Sequence, residues 1–175
     1  MEFNSQQFRL SASNHLSEIC TIYFRKDVRN TPEFDMENLI TAFLQSFTFR
    51  DIQGLSLSVL HIPSGSAGPY EQVFERLTSV TSLNTTADAL QHLKDLPSSS
   101  SISSTLFPEL DTIELEVRSD NDALAIKEFL ESRIRIGKPI QTLHMVLIDF
   151  RGLAVNIRFQ DQFPDLKTVI KYIRG

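Results

Sequence analysis

LFPELDTIELEV, Leu106 to Val117, sets Leu110, Ile113 and Leu115 in the spacing L-x-x-L-x-L, with Pro108 just ahead and a helix-like run behind. Such a stretch is either one strand of a nonrepetitive α/β domain or one copy of a repeated unit. The rest of the chain decides between them. The same template recurs as Ile52, Leu55 and Leu57 in IQGLSL, and as Ile140, Leu143 and Met145 in IQTLHM. VTSLNT supplies Val80 and Leu83 but puts Thr85 in the third place, and ICTIYF supplies Ile19, Ile22 and Phe24. The first positions fall at 19, 52, 80, 110 and 140, spaced by 33, 28, 30 and 30 residues. A near-constant period of this length marks stacked supersecondary units.

Helical periodicity fills the intervals. DMENLITAFLQSF carries Met36, Leu39, Ile40, Phe43, Leu44 and Phe47 as one apolar stripe. GPYEQVFERL starts with Pro69, suited to a first helical turn, and aligns Tyr70, Val73, Phe74 and Leu77. TTADALQHLKDLP offers Thr86 as a cap, Leu90 and Leu93 on a face and Pro97 as a stop. In SDNDALAIKEFLESRIRIGKP, Asp120 and Asp122 can cap the positive end, and Arg133 and Arg135 suit the negative end. Gly137 and Pro139 terminate it, and Ala123, Ile126, Phe129 and Leu130 face inward.

Strand and helix alternating at a period near 30 predict parallel strands joined by right-handed crossovers. One unit cannot bury its own apolar face, whereas stacked units bury it between a layer of strands and a layer of helices. The expected strands lie near 19–24, 52–59, 80–86, 110–117 and 140–148 of one domain, residues 1–175. A mobile Ser-rich linker, 98–105, separates the third and fourth units. The tail FPDLKTVIKYIRG echoes FPELDTIELEV, with Leu166 and Val169 fitting and Lys171 breaking the third place, and reads as a last, imperfect strand. A doubly wound nucleotide-binding sheet would carry a glycine-rich first turn. This chain has six glycines and neither G-x-G-x-x-G nor G-x-x-x-x-G-K-[ST].

The 175 residues suffice for one well-buried domain. A net charge of -5 gives no overall basic field, so neither nucleic acid nor an anionic membrane is the expected partner. The single cysteine, Cys20, forms no internal disulfide, and with no secretory start or long apolar run the chain reads as cytoplasmic or nuclear.

The run from YEQVFERL to LHM resembles the degenerate leucine-rich-repeat region of F-box proteins common in mushroom-forming fungi. Leu106, Phe107, Pro108, Leu110, Phe129, Leu130, Arg133, Gly137, Pro139 and Leu143 stand at the positions of its LFPxLxxLxL and LxxFLxxRxxxGxPLxxL motifs. The resemblance covers roughly residues 50 to 148. It implies a short right-handed leucine-rich-repeat-like solenoid, with parallel strands on one face and helices on the other. Its implied role is the target-recognition part of an F-box-like ubiquitin-ligase substrate adaptor, without enzymatic activity or cofactor. Two features depart from the family. The amino end lacks the LPxE opening of an F-box, so docking on a Skp-type adaptor requires such a segment elsewhere. The turn asparagine of standard repeats is replaced by Leu60, Asp88, Arg118 and Ile148.

Alternation along the strands turns the residues between the apolar ones to the opposite, open face. With register following the period, Ser56, Asn84, Glu114 and His144 become neighbours. The residues expected to touch a protein partner are Tyr23, Arg25, Asn84, Glu114, Glu116 and His144. Tyr and Arg are common anchors of interfaces, and paired carboxylates favour a basic segment. Glu114 beside His144 also admits a small α/β hydrolytic or metal-dependent enzyme. A structural remnant without a partner is the third reading. His15, His61 and His92 lie in different units and show no metal-ligand spacing.

Overall fold

A computed structural model of the chain describes residues 6–13, 18–26, 49, 51–59, 74–95, 106–148 and 159–173. The stripe from Met36 to Phe47, the Pro69 helix start, the Pro97 stop and the stretch 98–105 lie outside them. In chain order the elements are β1 (Gln6–Ser13), β2 (Glu18–Lys26), β3 (Gly54–Val59), β4 (Ser82–Thr85), α1 (Ala87–Asp95), β5 (Thr112–Val117), α2 (Asp120–Arg135), β6 (Thr142–Ile148), α3 (Phe159–Gln162) and β7 (Lys167–Ile173). The strands form one sheet in the order β2-β1-β3-β4-β5-β6-β7. From β3 to β7 every pairing is parallel, so the fold is α/β with a five-stranded parallel run.

The amino end differs from the expected repeat. The segment holding Ile19, Ile22 and Phe24 is a strand, β2, but it pairs antiparallel with β1, which in turn pairs antiparallel with β3. The 33-residue step therefore joins β2 to β3 past the intervening β1 rather than linking two adjacent strands. β1 escapes the L-x-x-L-x-L template because its signal is simple alternation, Phe8, Leu10 and Ala12 at a period of two.

The same backbone acceptor stitches each parallel strand to the next. The Gln53 carbonyl accepts from the N–H groups of Thr81 (2.9 Å) and Ser82 (3.0 Å). Those of Thr81 and Asp111 accept in the same way, from Asp111 and Thr112 (both 3.0 Å) and from Gln141 (2.8 Å) and Thr142 (3.0 Å). The Gln141 carbonyl accepts from Lys167 at 2.8 Å. Ahead of β3, β5 and β7 the chain makes one kind of turn, in which the N–H of Ile52, Leu110 or Leu166 donates to the carbonyl of Phe49, Phe107 or Phe163 (3.3, 3.1 and 3.0 Å). All six side chains are buried. The Phe-x-x-Leu/Ile turn thus sinks two apolar groups and hands the next residue to the ladder.

Leu55, Leu57, Leu83, Ile113, Leu115, Leu143 and Met145 join Leu90 and Leu93 of α1 and Ile126, Phe129 and Leu130 of α2 in one buried cluster. Each such side chain contributes roughly 1.5–3 kcal/mol against the entropy of ordering. Thr85 occupies the apolar row yet is only 5% exposed. Its hydroxyl donates to the Leu57 carbonyl at 3.0 Å, which satisfies a polar atom that burial would otherwise orphan.

α1 begins as its sequence indicates: the Thr86 hydroxyl accepts from the Ala89 N–H at 3.3 Å. In α2 the cap is not an aspartate but Ser119, whose hydroxyl accepts from the Asp122 N–H (3.2 Å). The Asp122 carboxylate returns to the N–H groups of Ser119 (3.0 Å) and Arg118 (2.7 Å). This reciprocal box uses Asp122 at the third helical position and leaves Asp120 to the helix dipole alone. The exit of α2 is a Schellman turn: Gly137 at φ 72° sends its N–H to Ile134, and the Lys138 N–H reaches the Arg133 carbonyl.

Arg133 does more than face the negative helix end. It is 3% exposed, and its guanidinium donates to the carbonyls of Lys138 (3.0 Å), Leu106 (2.9 Å), Phe107 (3.2 Å) and Leu110 (3.4 Å). Burial pushes its pKa below the ordinary arginine value. The clamp grips the turn in which Phe107, ahead of Pro108, takes a left-handed φ of 50°. That conformation costs a non-glycine residue about 1–3 kcal/mol and persists only when its surroundings impose it. Arg133 therefore fixes where β5 starts, and with it the height of Glu114 and Glu116.

β7 is the last strand and lies parallel to β6, but one residue out of the expected phase. Thr168 pairs with Leu143 and Ile170 with Met145, so Val169 and Lys171 do not occupy the apolar row. They pair with His144 and Val146 and belong to the open face. The turn after Leu166 is one residue shorter than in the other units, and a one-residue change exchanges the two faces of a strand.

Candidate functional site

The open face is built by register. Ser56 pairs with Asn84, Asn84 with Glu114, Glu114 with His144 and His144 with Val169. The sequence-derived row of Ser56, Asn84, Glu114 and His144 is thus a row of the sheet, extended at its far end by Val169. On the near side it continues through Ser11 to Thr21. Below it runs Ser82, Thr112, Thr142 and Lys167, and above it Glu116, Val146 and Lys171. Asn84, Glu114 and Glu116 are exposed, while Ser56 and His144 are half-buried.

Its charges are less concentrated than the sequence implies. Glu116 accepts from the Arg118 guanidinium at 2.6 Å, with half or more of each side chain exposed. Such a pair contributes about 0–1 kcal/mol, but it offsets one of the two carboxylates. Glu114 is left as the acidic centre of the face, paired in register with His144 on the adjoining strand, whose backbone lies about 4.8 Å away. Arg118 was not among the expected contact residues. Its signal, a base two positions beyond Glu116 and so on the same side of an extended chain, was present in LEVR.

Tyr23 and Arg25 sit elsewhere. Tyr23 pairs with Arg9 and Arg25 with Gln7, on the outermost strand of the hairpin edge. Five strand spacings of about 4.8 Å separate that edge from β6, roughly 24 Å. One small ligand cannot meet both Tyr23 and His144. The face brings together Asn84, Glu114, Glu116 and His144 and leaves Tyr23 and Arg25 on a distant strand.

Among the described residues no group of three or more His, Cys, Asp or Glu side chains is arranged to hold a metal ion. None of the described helices is long and apolar enough to cross a membrane. His92 lies on α1, away from His144 on the sheet, and His15 and His61 are outside the described residues.

These features define an α/β protein with a five-stranded parallel run and a polar, open sheet face. The chain matches no protein-family model, no curated protein and no solved structure.

Proposed function

We propose that the chain is a protein-interaction module, a short leucine-rich-repeat-like solenoid whose open sheet face holds a protein target. The observation that carries this reading is the continuous row Ser56–Asn84–Glu114–His144, presented at one height on four adjacent parallel strands. Its width suits a macromolecular surface better than a small substrate. Small polar groups at Ser56 and Asn84 leave room for a partner's side chains, and Glu114 supplies one directed charge. The place of such a module in an F-box-like ubiquitin-ligase adaptor follows from the resemblance of its motifs, and docking on that ligase requires an F-box segment.

Affinity capture from extract of the source cell tests the reading, with the 175-residue chain as bait beside a Glu114→Ala, Glu116→Ala, His144→Ala variant. A specific protein bound by the first and depleted about tenfold by the second is the expected result, since interface energy concentrates in few residues. Equal capture by both baits refutes the assignment of this face. The pairing of Glu114 with His144 favours one second reading, hydrolytic or metal-assisted chemistry. A stoichiometric metal in the purified chain, lost in the variant, would establish it.

A further inference from the structure

The buried row of the sheet surfaces at β7. Met145 and Leu147 on β6 are 1% and 3% exposed, yet their partners Ile170 and Tyr172 are 36% and 59% exposed. On the other side of the same strand Val169 and Ile173 are 39% and 42% exposed, flanked by exposed Lys167 and Lys171. β7 has a described neighbour on one side only. Neither lysine has an ion pair among the described residues, in contrast to Lys94, which meets Glu128 at 2.6 Å.

An apolar strand edge calls for another strand, and the charges specify its kind. Lys167 and Lys171 are four residues apart on one face, with Thr168 and Ile170 between them on the other. A strand that matches them carries acidic residues at i and i+4 and apolar residues at i+1 and i+3. That pattern reads the same in either direction. Glu114, two strands inward on β5, repels such a segment from the middle of the face and leaves the β7 edge as its favourable position. A second copy of this edge fits badly. Antiparallel pairing centred on Ile170 would set Lys171 of each copy against Val169 of the other, bringing the two Lys171 side chains diagonally together at about 7–8 Å. Edge lysines also deter unselective pairing, so the same two residues reject a neutral strand edge and admit an acidic one.

We propose that the β7 edge binds an extended acidic segment of another protein as an added strand, its carboxylates meeting Lys167 and Lys171 and its apolar residues covering Thr168 and Ile170. Binding by strand addition draws affinity from main-chain hydrogen bonds and specificity from alternate side chains.

The test uses the full chain and a capped nine-residue peptide with glutamate at its third and seventh positions, valine at every even position and threonine elsewhere. A second peptide has lysine for both glutamates. The glutamate peptide is expected to bind, by fluorescence anisotropy, about tenfold tighter than the lysine peptide. It should slow hydrogen exchange at the β7 amides. Lys167→Glu with Lys171→Glu, at two exposed sites, should reverse the preference. Binding without β7 protection, or an unchanged preference in the charge-reversed chain, overturns the proposal. So does a dimer in sedimentation whose β7 amides are protected without peptide, which would assign the edge to a second copy.

Discussion

Replacing Arg133 with methionine keeps an unbranched apolar stem, two atoms shorter, and deletes all of its donors. The guanidinium serves four carbonyls, of which that of Phe107 retains the Leu110 N–H at 3.1 Å. Three carbonyls, those of Leu106, Leu110 and Lys138, bear the loss. Of these only the Leu110 carbonyl is held by a buried bond; orphaning it costs about 1–3 kcal/mol and each part-buried bond lost about 0.5–1.5 kcal/mol, so the gross loss is about 2–6 kcal/mol. Two terms offset it. The buried guanidinium no longer has to be desolvated, a relief of several kcal/mol, and the turn at Phe107 is free to leave its left-handed conformation. A net destabilisation of about 1–3 kcal/mol follows. At the middle of that range Tm falls by roughly 4–8 °C for a chain of this size. The chain has no tryptophan, so urea unfolding is best followed by far-ultraviolet circular dichroism. The midpoint should fall while the slope with urea stays unchanged. Arg133→Lys should recover only part of the loss, because an ammonium cannot reproduce the planar fork. Arg135, exposed two residues further along the last turn, is the control, and Arg135→Met should change stability by no more than about 0.5 kcal/mol. A loss at Arg133 no larger than at Arg135 would refute the view that this side chain holds the turn.

Gly137→Ala should cost about 1–2 kcal/mol in the same assay, entirely through its φ of 72°, because a Cβ there meets nothing within 4 Å. Gly137→Asn should cost less than Gly137→Ala, since asparagine tolerates the left-handed region. Thr85→Val restores the apolar pattern of the repeat yet should destabilise by about 0.5–1.5 kcal/mol, because the Leu57 carbonyl loses its hydroxyl donor. A valine variant more stable than the native chain would mean that this hydrogen bond contributes nothing.

The strand period was legible because it repeats a physical requirement. Each unit must present apolar residues at fixed offsets to reach the same layer, so Leu55, Leu83, Ile113 and Leu143 align in the sheet as their spacing implies. The row of Asn84, Glu114 and His144 followed from that alignment by alternation. Helix limits were legible at Thr86 and Gly137, where local chemistry dictates the cap. The cap of α2 was read one residue late. Three polar residues, Ser119, Asp120 and Asp122, compete there, and the geometry selects the serine with Asp122 as its reciprocal partner.

Sequence alone determined which residues can share a layer, through periods of two within strands and near 30 between them, because both periods are set by local backbone geometry. Tertiary structure decided the rest. It inserted β1 between β2 and β3, a pairing between distant segments that no local pattern encodes. It shifted β7 by one residue through the length of a single turn, which moved Val169 and Lys171 onto the open face. It also drew Arg133 into the core, where four carbonyls from the segment 106–110 and from Lys138 converge. An arginine in a last helical turn is ordinarily solvated. Only the fold could supply the acceptors that make its burial tolerable.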